Sequence, residues 1–208
     1  YFRTQAKIDL DAVEYNYNNT RAKLPQGCKL LGVIKADAYG HGAVELAKFL
    51  QGKCDFFGVA CIEEAIELKK ADIKTPVLIL GYVAPAFYDL VVKYDIRIPV
   101  FSYDTAKALS DEAVKLGKPV PFHFCIDTGM SRIGFHPDKD SVKVISDISR
   151  LPGIEIEGIF THFYASDETD KTSAYEQYKI FNYIISELEK QGVNIPIKHC
   201  SNSAAIID

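Results

Sequence analysis

The chain has no tryptophan and one methionine, and its five cysteines include no Cys-x-x-Cys pair. Cys28, Cys54, Cys61, Cys125 and Cys200 are odd in number and widely scattered. That excludes a regular disulfide framework and the common zinc spacings, and it suits a reducing cytoplasm. Cys61, Cys125 and Cys200 fall in apolar, strand-like runs and read as small core residues. Excess positive charge is also missing. Lys and Arg number 24 against 28 Asp and Glu, for a net charge of −4, which argues against a general nucleic-acid binder. No apolar stretch approaches the length of a membrane span, and no signal-peptide pattern is present. No repeat, linker or low-complexity tract interrupts the chain. No Gly-x-Gly-x-x-Gly follows the first predicted strand, which speaks against a dinucleotide-binding fold.

What is present is an alternation of strand and helix patterns. With 208 residues, 48% of them hydrophobic, one domain with a sizeable core is expected. Strand candidates are Leu30–Ile34, Phe56–Cys61, Val77–Leu80, Arg97–Phe101, Val120–Ile126, Ile154–Thr161 and Ile195–Cys200. They are short and apolar throughout, as parallel strands covered on both faces must be. Between them, Ala43, Leu46, Ala47 and Leu50 share one helical face, and Tyr178, Phe181, Ile185 and Leu188 share another. Ser102–Asp104 and Asp170–Ser173 offer helix N-caps, and Gly117 and Gly192 suit helix ends. Such β/α repetition predicts an α/β fold, either a βα barrel or a doubly wound sheet, which pattern alone barely separates. Thr4–Leu10 alternates like a further strand, ahead of a helix from Asp11 to about Lys23.

Several residues with chemical potential fall where strands end, which is where βα barrels carry their sites. The first run leads into Lys35, then Ala36-Asp37-Ala38-Tyr39-Gly40-His41-Gly42. Burial disfavours an ammonium ion, so a lysine there is readily made nucleophilic, as Schiff-base chemistry requires. Asp127-Thr128-Gly129-Met130-Ser131-Arg132-Ile133-Gly134 follows the fifth strand. Thr161-His162-Phe163-Tyr164-Ala165-Ser166-Asp167-Glu168 follows the sixth, and Ser201-Asn202-Ser203-Ala204-Ala205 the seventh. Taken singly, these residues have plain readings: a lysine reaching solvent, a surface arginine, a structural histidine, an N-cap. His41 and His199 lie in these segments without an assigned role, and His123 and His136 read as structural or exposed. No metal-ligand spacing is present.

Together, the four segments resemble, in order, the signatures of the alanine racemases. The resemblance spans nearly the whole chain. It implies a pyridoxal 5′-phosphate (PLP)-binding (β/α)8-type barrel followed, in the family, by a mostly β domain. Here the barrel would be truncated before its last strand. Residues 1–10 would be a strand of the missing C-terminal β domain, and 11–208 the incomplete barrel. The absent Met start and the abrupt end at Asp208 read as part of a longer protein. By the same resemblance Lys35 forms the internal aldimine with PLP and is the catalytic base on one face of Cα. Tyr39, Asn202 and Ser203 contact the cofactor phosphate. Arg132 bonds the phenolate oxygen and lies near the substrate carboxylate. His162 packs on the pyridine ring, and Ala165 and Asp167 match positions of the substrate entry corridor.

One departure stands out. Many relatives have a lysine two residues before the aspartate, which becomes carbamylated and orients the arginine. Here Cys125 stands there, so another anion, such as chloride, or a looser arginine is expected. The implied activity is interconversion of L- and D-alanine by Cα proton transfer on the external aldimine. The family's second base is a tyrosine of the partner subunit's second domain, and its arginine at the pyridine nitrogen would follow Asp208. The 208-residue chain is therefore expected to be inactive alone. The implied setting is a cytoplasmic homodimer making a peptidoglycan precursor, with a small amino acid as substrate and no membrane contact. Three alternatives stay open: a racemase of serine or of broad specificity, a non-racemising PLP barrel such as a carrier protein or decarboxylase, and a non-catalytic folding unit without cofactor.

Overall fold

Short apolar runs form the strands in the computed structural model, which describes residues 4–207. The strands are β1 (Leu31–Val33), β2 (Phe56–Val59), β3 (Val77–Ile79), β4 (Ile96–Arg97), β5 (Pro99–Val100), β6 (Val120–Cys125), β7 (Ile154–Phe160) and β8 (Ile197–His199). These runs bury β2 to β6 throughout, while the flanking β1 and β8 and the start of β7 are only partly covered. The helical segments are α1 (Leu10–Lys23), α2 (Lys35–Gly40), α3 (Ala43–Leu50), α4 (Ile62–Lys70), α5 (Tyr88–Tyr94), α6 (Tyr103–Leu116), α7 (Lys139–Ile148), α8 (Thr172–Lys190) and α9 (Ser203–Ile207). All strand pairs are parallel, in the orders β1-β2-β3-β4 and β5-β6-β7-β8.

The two sheets are one curved wall with a joint. The run expected as a single strand over Arg97–Phe101 starts one residue earlier and divides at Ile98 into β4 and β5. Pro99 has no N–H to give the ladder, so the pairing changes sides there. Leu78 pairs with Arg97 on one side of the joint, and Pro99 pairs with His123 on the other. Seven strand positions therefore line the wall, as the sequence pattern implied. Among the described residues, β1 and β8 each pair with one strand only. α1 and α9 meet beside this gap, where Lys23 Nζ donates to the Ile207 carbonyl at 2.7 Å.

A continuous apolar core fills the wall and the layer beneath its helices. Phe57, Val59, Leu78, Ile79, Phe122 and Phe124 are all essentially inaccessible. Ala43, Leu46, Ala47 and Leu50 bury one face of α3, as their spacing predicts. On α8 the buried residues are Gln177, Phe181, Ile184, Ile185 and Leu188, while Tyr178, expected on that face, is exposed. Ser102 caps α6 by accepting the Thr105 N–H at 3.1 Å, and Gly117 ends that helix in the left-handed region. Cys125 is buried, whereas Cys61 and Cys200 are only half-buried, because they lie just beyond β2 and β8 and not within them. The strand expected over Thr4–Leu10 does not form: residues 4–9 have no regular structure and pair with no strand among the described residues, and Leu10 already opens α1, while residues 1–3 lie outside the described residues. Among the described residues, no helix is long and apolar enough to cross a membrane.

One polar chain crosses this interior. A bulge between β6 and β7 leaves Glu157 unpaired, since Phe122 pairs with Ile156 and His123 with Gly158. The Glu157 carboxylate accepts from Arg97 Nε at 3.0 Å and pairs with His123 Nε2 at 3.0 Å. His123 Nδ1 lies 2.9 Å from His199 Nε2. Arg97 also reaches Asp95 at 2.7 Å. Burial alone would raise the Glu157 carboxyl, but its bonds from His123 and Arg97 and their charge hold it down to about 2. His123 is thus structural, as expected, and His136 is exposed.

Candidate active site

Parallel strands end together, so the loops after β1, β6, β7 and β8 share one end of the wall. The first was expected as an open loop. It is instead a helical turn of the wrong hand. Ala36, Asp37, Ala38 and Tyr39 have φ of 51°, 52°, 52° and 55°. Left-handed geometry costs an L-residue about 1–2 kcal/mol, so four in succession need firm support. Ala38 N–H bonds the Ile34 carbonyl at 2.9 Å and Gly42 N–H the Asp37 carbonyl at 2.9 Å. The Asp37 carboxylate accepts the Ala43 N–H at 2.7 Å, and Ala38 is buried. Glu64 of α4 accepts the Ala36 N–H at 2.7 Å. The turn opens at half-buried Lys35 and leaves Tyr39 61% exposed at the rim.

The loop after β6 is a lasso pinned at its base. Asp127 N–H donates to the Phe135 carbonyl at 2.9 Å, and Phe135 N–H to that of Cys125 at 2.8 Å. Inside the lasso the Asp127 carboxylate accepts the N–H groups of Gly129 (3.0 Å) and Ser131 (2.9 Å). Gly134, at φ 138°, closes the lasso so tightly that a Cβ there would lie 2.4 Å from the Asp127 nitrogen. Arg132 sits exposed at the tip. Cys125 lies under it, 3% exposed, with its sulfur 3.5 Å from the Ile133 carbonyl. Burial first, and then the Asp127 charge, push the Cys125 thiol up to about 12, so it offers Arg132 no anion.

The loop after β7 is held from behind by Gln177, which is 2% exposed. Its amide donates to Thr128 Oγ1 and to the His162 carbonyl, each at 3.1 Å, and accepts the Tyr164 N–H at 3.2 Å. Thr128 and Thr161 hydroxyls share a 2.7 Å hydrogen bond. The His162 imidazole is exposed on the mouth side. Partial desolvation, followed by the positive charges of Arg132 and Lys35, holds it below its ordinary value. That effect brings Lys35, Arg132 and His162 together in one electrostatic neighbourhood. Asn202 has a different employment. Its carbonyl oxygen accepts from Ser166 Oγ at 2.6 Å and caps α9 at Ala205 N–H (3.1 Å), and its amide donates to the Phe163 carbonyl at 3.3 Å. Ser203 is exposed as the first residue of α9. Ala165 is buried, and Asp167 is exposed.

Among the described residues, the side chains of Lys35, Tyr39, Arg132 and His162 form no hydrogen bond or ion pair. Nor do any three His, Cys, Asp or Glu side chains gather to hold a metal ion. Residues 8–208 match the model of the alanine racemase N-terminal domain. The chain belongs to this family. It is 43% identical over 204 residues to the alanine racemase of Clostridium tetani, covering 98% of this chain and 52% of that protein. It is 45% identical to alanine racemase 1 of Clostridium acetobutylicum, covering 98% of this chain and 53% of the relative. Among solved structures, the Clostridium difficile 630 alanine racemase in complex with cycloserine superposes with a TM-score of 0.94 at 43% identity. That match covers 96% of this chain and 55% of the other. The chain thus spans about half the length of the alanine racemases it matches. Its fold is the parallel barrel domain of that family.

Two supporting residues escaped the sequence reading. Glu64 sits in an acidic pair that looks like an ordinary solvated first turn of α4. Gln177 carries a visible signal: it lies four residues before Phe181, on the apolar stripe of α8, where a polar side chain must find partners.

Proposed function

We propose that the full-length protein carrying this chain is a PLP-dependent racemase of L- and D-alanine, with this chain as its cofactor-binding half. The observation that carries the reading is that Lys35 and Arg132, without a hydrogen-bond or ion-pair partner among the described residues, follow β1 and β6 at the same end of the parallel wall where His162 follows β7. The donor set fits the cofactor. A lysine amine suits its aldehyde, and cations and hydroxyls suit its phosphate and phenolate oxygens. Three carboxylates beside Lys35 and Arg132 do not compete, because Asp37, Asp127 and Glu64 are each taken up by backbone N–H groups. When bound, PLP supplies an electron sink that makes the Cα–H of an amino acid acidic.

The chain's own residues then have distinct tasks. Lys35 Nζ anchors the cofactor and takes or returns a proton on one face of Cα. Arg132, a permanently charged fork, holds the phenolate oxygen and orients the substrate carboxylate. His162 offers a flat, uncharged ring to the pyridine, in keeping with its lowered proton affinity. Tyr39, Ser203 and the backbone of Asn202 face the phosphate. The Asn202 side chain is already committed to capping α9.

Racemisation needs a second proton carrier on the opposite face of Cα. That group belongs to the rest of the protein, contributed by the partner subunit of a cytoplasmic homodimer, so residues 1–208 alone do not racemise. In the full-length protein one further strand, at the eighth position of the wall, closes the gap between β1 and β8, and the segment before α1 joins the second domain. The cycloserine complex of the Clostridium difficile relative supports a small-molecule ligand. The D-alanine formed serves as a peptidoglycan precursor.

The test is borohydride reduction of the full-length protein after adding PLP, with peptide mapping and assays on L-alanine and L-serine. A pyridoxyl group on Lys35 alone, with alanine the preferred substrate, is expected. Label spread over surface lysines refutes the cofactor reading, and a preference for serine refutes the substrate.

A further inference from the structure

We propose that Glu64 is a positioning residue for Lys35, clamping the left-handed turn that presents the lysine. The proposal rests on the reading of Lys35 as the PLP lysine. Glu64 divides its carboxylate between two loops. Oε1 accepts the Ala36 N–H at 2.7 Å, and Oε2 accepts the Ala60 N–H at 2.7 Å. Ala36 directly follows Lys35 and opens the left-handed turn. The N–H groups at the start of a helical turn have no partner within it, so that of Ala36 must find one outside. Ala60 directly follows β2, the strand paired with β1. The anchor end is rigid. Ala60 is packed so closely against Gly81 that a Cβ on that glycine would lie 2.7 Å from the Ala60 carbonyl oxygen.

The helix that bears Glu64 does not explain this geometry. Glu64 is the third residue of α4, where a capping glutamate reaches back to the N–H of its own N-cap, here Cys61. Instead one oxygen reaches one residue further back, to Ala60, and the other leaves the helix for Ala36. The bond to Ala36 does nothing for α4. It fixes the peptide plane between Lys35 and Ala36, and with it the direction in which the lysine leaves the backbone. Two N–H donors converge on one side chain, so both of its oxygens must be acceptors. A carboxylate satisfies this. A glutamine of the same shape would turn an NH2 group toward one of the donors.

The experiment uses the full-length protein with Glu64→Gln, Glu64→Ala and a control, Ile148→Val. Ile148 is fully buried in α7 and lines a cavity with Ile154 and Val193, at the opposite end of the strands. Three quantities are measured: the thermal midpoint, the PLP concentration giving half-maximal borohydride labelling of Lys35, and kcat and KM for alanine. Glu64→Gln is expected to raise the half-labelling concentration at least tenfold and to lower kcat similarly, with KM within twofold. Its thermal midpoint should fall no further than that of Ile148→Val, which labels like wild type. Wild-type labelling in both Glu64 variants overturns the proposal and leaves the Lys35 reading intact. An equal labelling defect in Ile148→Val also overturns it, because the effect would then be stability alone. Failure of the wild type to label at Lys35 overturns the reading of the lysine, and this proposal with it.

Discussion

Replacing Gln177 by leucine removes three hydrogen bonds from one buried position while nearly preserving volume. Thr128 Oγ1 keeps its bond to Thr161, so its loss is small. Among the described residues the His162 carbonyl and the Tyr164 N–H have no other partner. Leaving a buried polar group unpaired costs about 1–3 kcal/mol. Both groups are only part-buried, so each sits at the low end of that range, for about 2 kcal/mol together, and the apolar gain of the leucine offsets on the order of 1 kcal/mol. A net loss of about 1 kcal/mol is expected, concentrated in the loop carrying His162. The assay is urea unfolding of the full-length protein together with amide exchange at Tyr164, which should accelerate sharply. Gln177→Glu separates the donors from the acceptor. A carboxylate still accepts from Tyr164 but cannot donate to Thr128 or to the His162 carbonyl. The neutral acid can donate, so folding raises the pKa of this glutamate. A raised pKa confers stability fully present below the unfolded value and lost as pH rises through the folded one. Gln177→Glu should therefore approach wild type near pH 4 and fall away above it. If Gln177→Leu unfolds like wild type, or Gln177→Glu shows no pH dependence, Gln177 does not hold the two loops.

Two further outcomes follow from the interior and the lasso. Folding depresses the Glu157 carboxyl from 4.5 to about 2, so its contribution is present above pH 4.5 and lost as pH falls from 4.5 to 2. The difference amounts to roughly 3 kcal/mol. Glu157→Gln should flatten that limb in urea titrations at pH 5 and pH 3, and an unchanged slope would remove the argument. Gly134→Ala should cost at least about 3 kcal/mol, from an unfavourable φ plus collision with backbone. Gly27→Ala, at φ +82° in open space, should cost about 1 kcal/mol in the same unfolding assay. Equal losses at the two glycines would show that the lasso is not closed as described.

Much of this protein is written in local pattern. Apolar runs bounded by turn residues mark the seven strand positions of the wall, because a strand buried on both faces, as β2, β3 and β6 are, can carry little else. The spacing in α3 names its buried face, since 3.6 residues per turn admits one stripe. Residue types in the four loops were enough to mark Lys35, Arg132 and His162 as candidates. What local pattern could not carry was any choice made by contact between distant segments. The division at Ile98 depends on which neighbours flank Pro99. The left-handed turn after Lys35 has little propensity signal, because alanine and tyrosine disfavour it and aspartate alone among these residues tolerates it. Bonds to Ile34, Glu64 and Ala43 hold it there. Gln177 is one polar residue on an apolar stripe until two loops close around it. The identity of each chemical group is therefore a property of the sequence. Its direction, neighbours and proton affinity belong to the tertiary structure, because hydrogen bonds and desolvation act across space between residues that the chain keeps far apart.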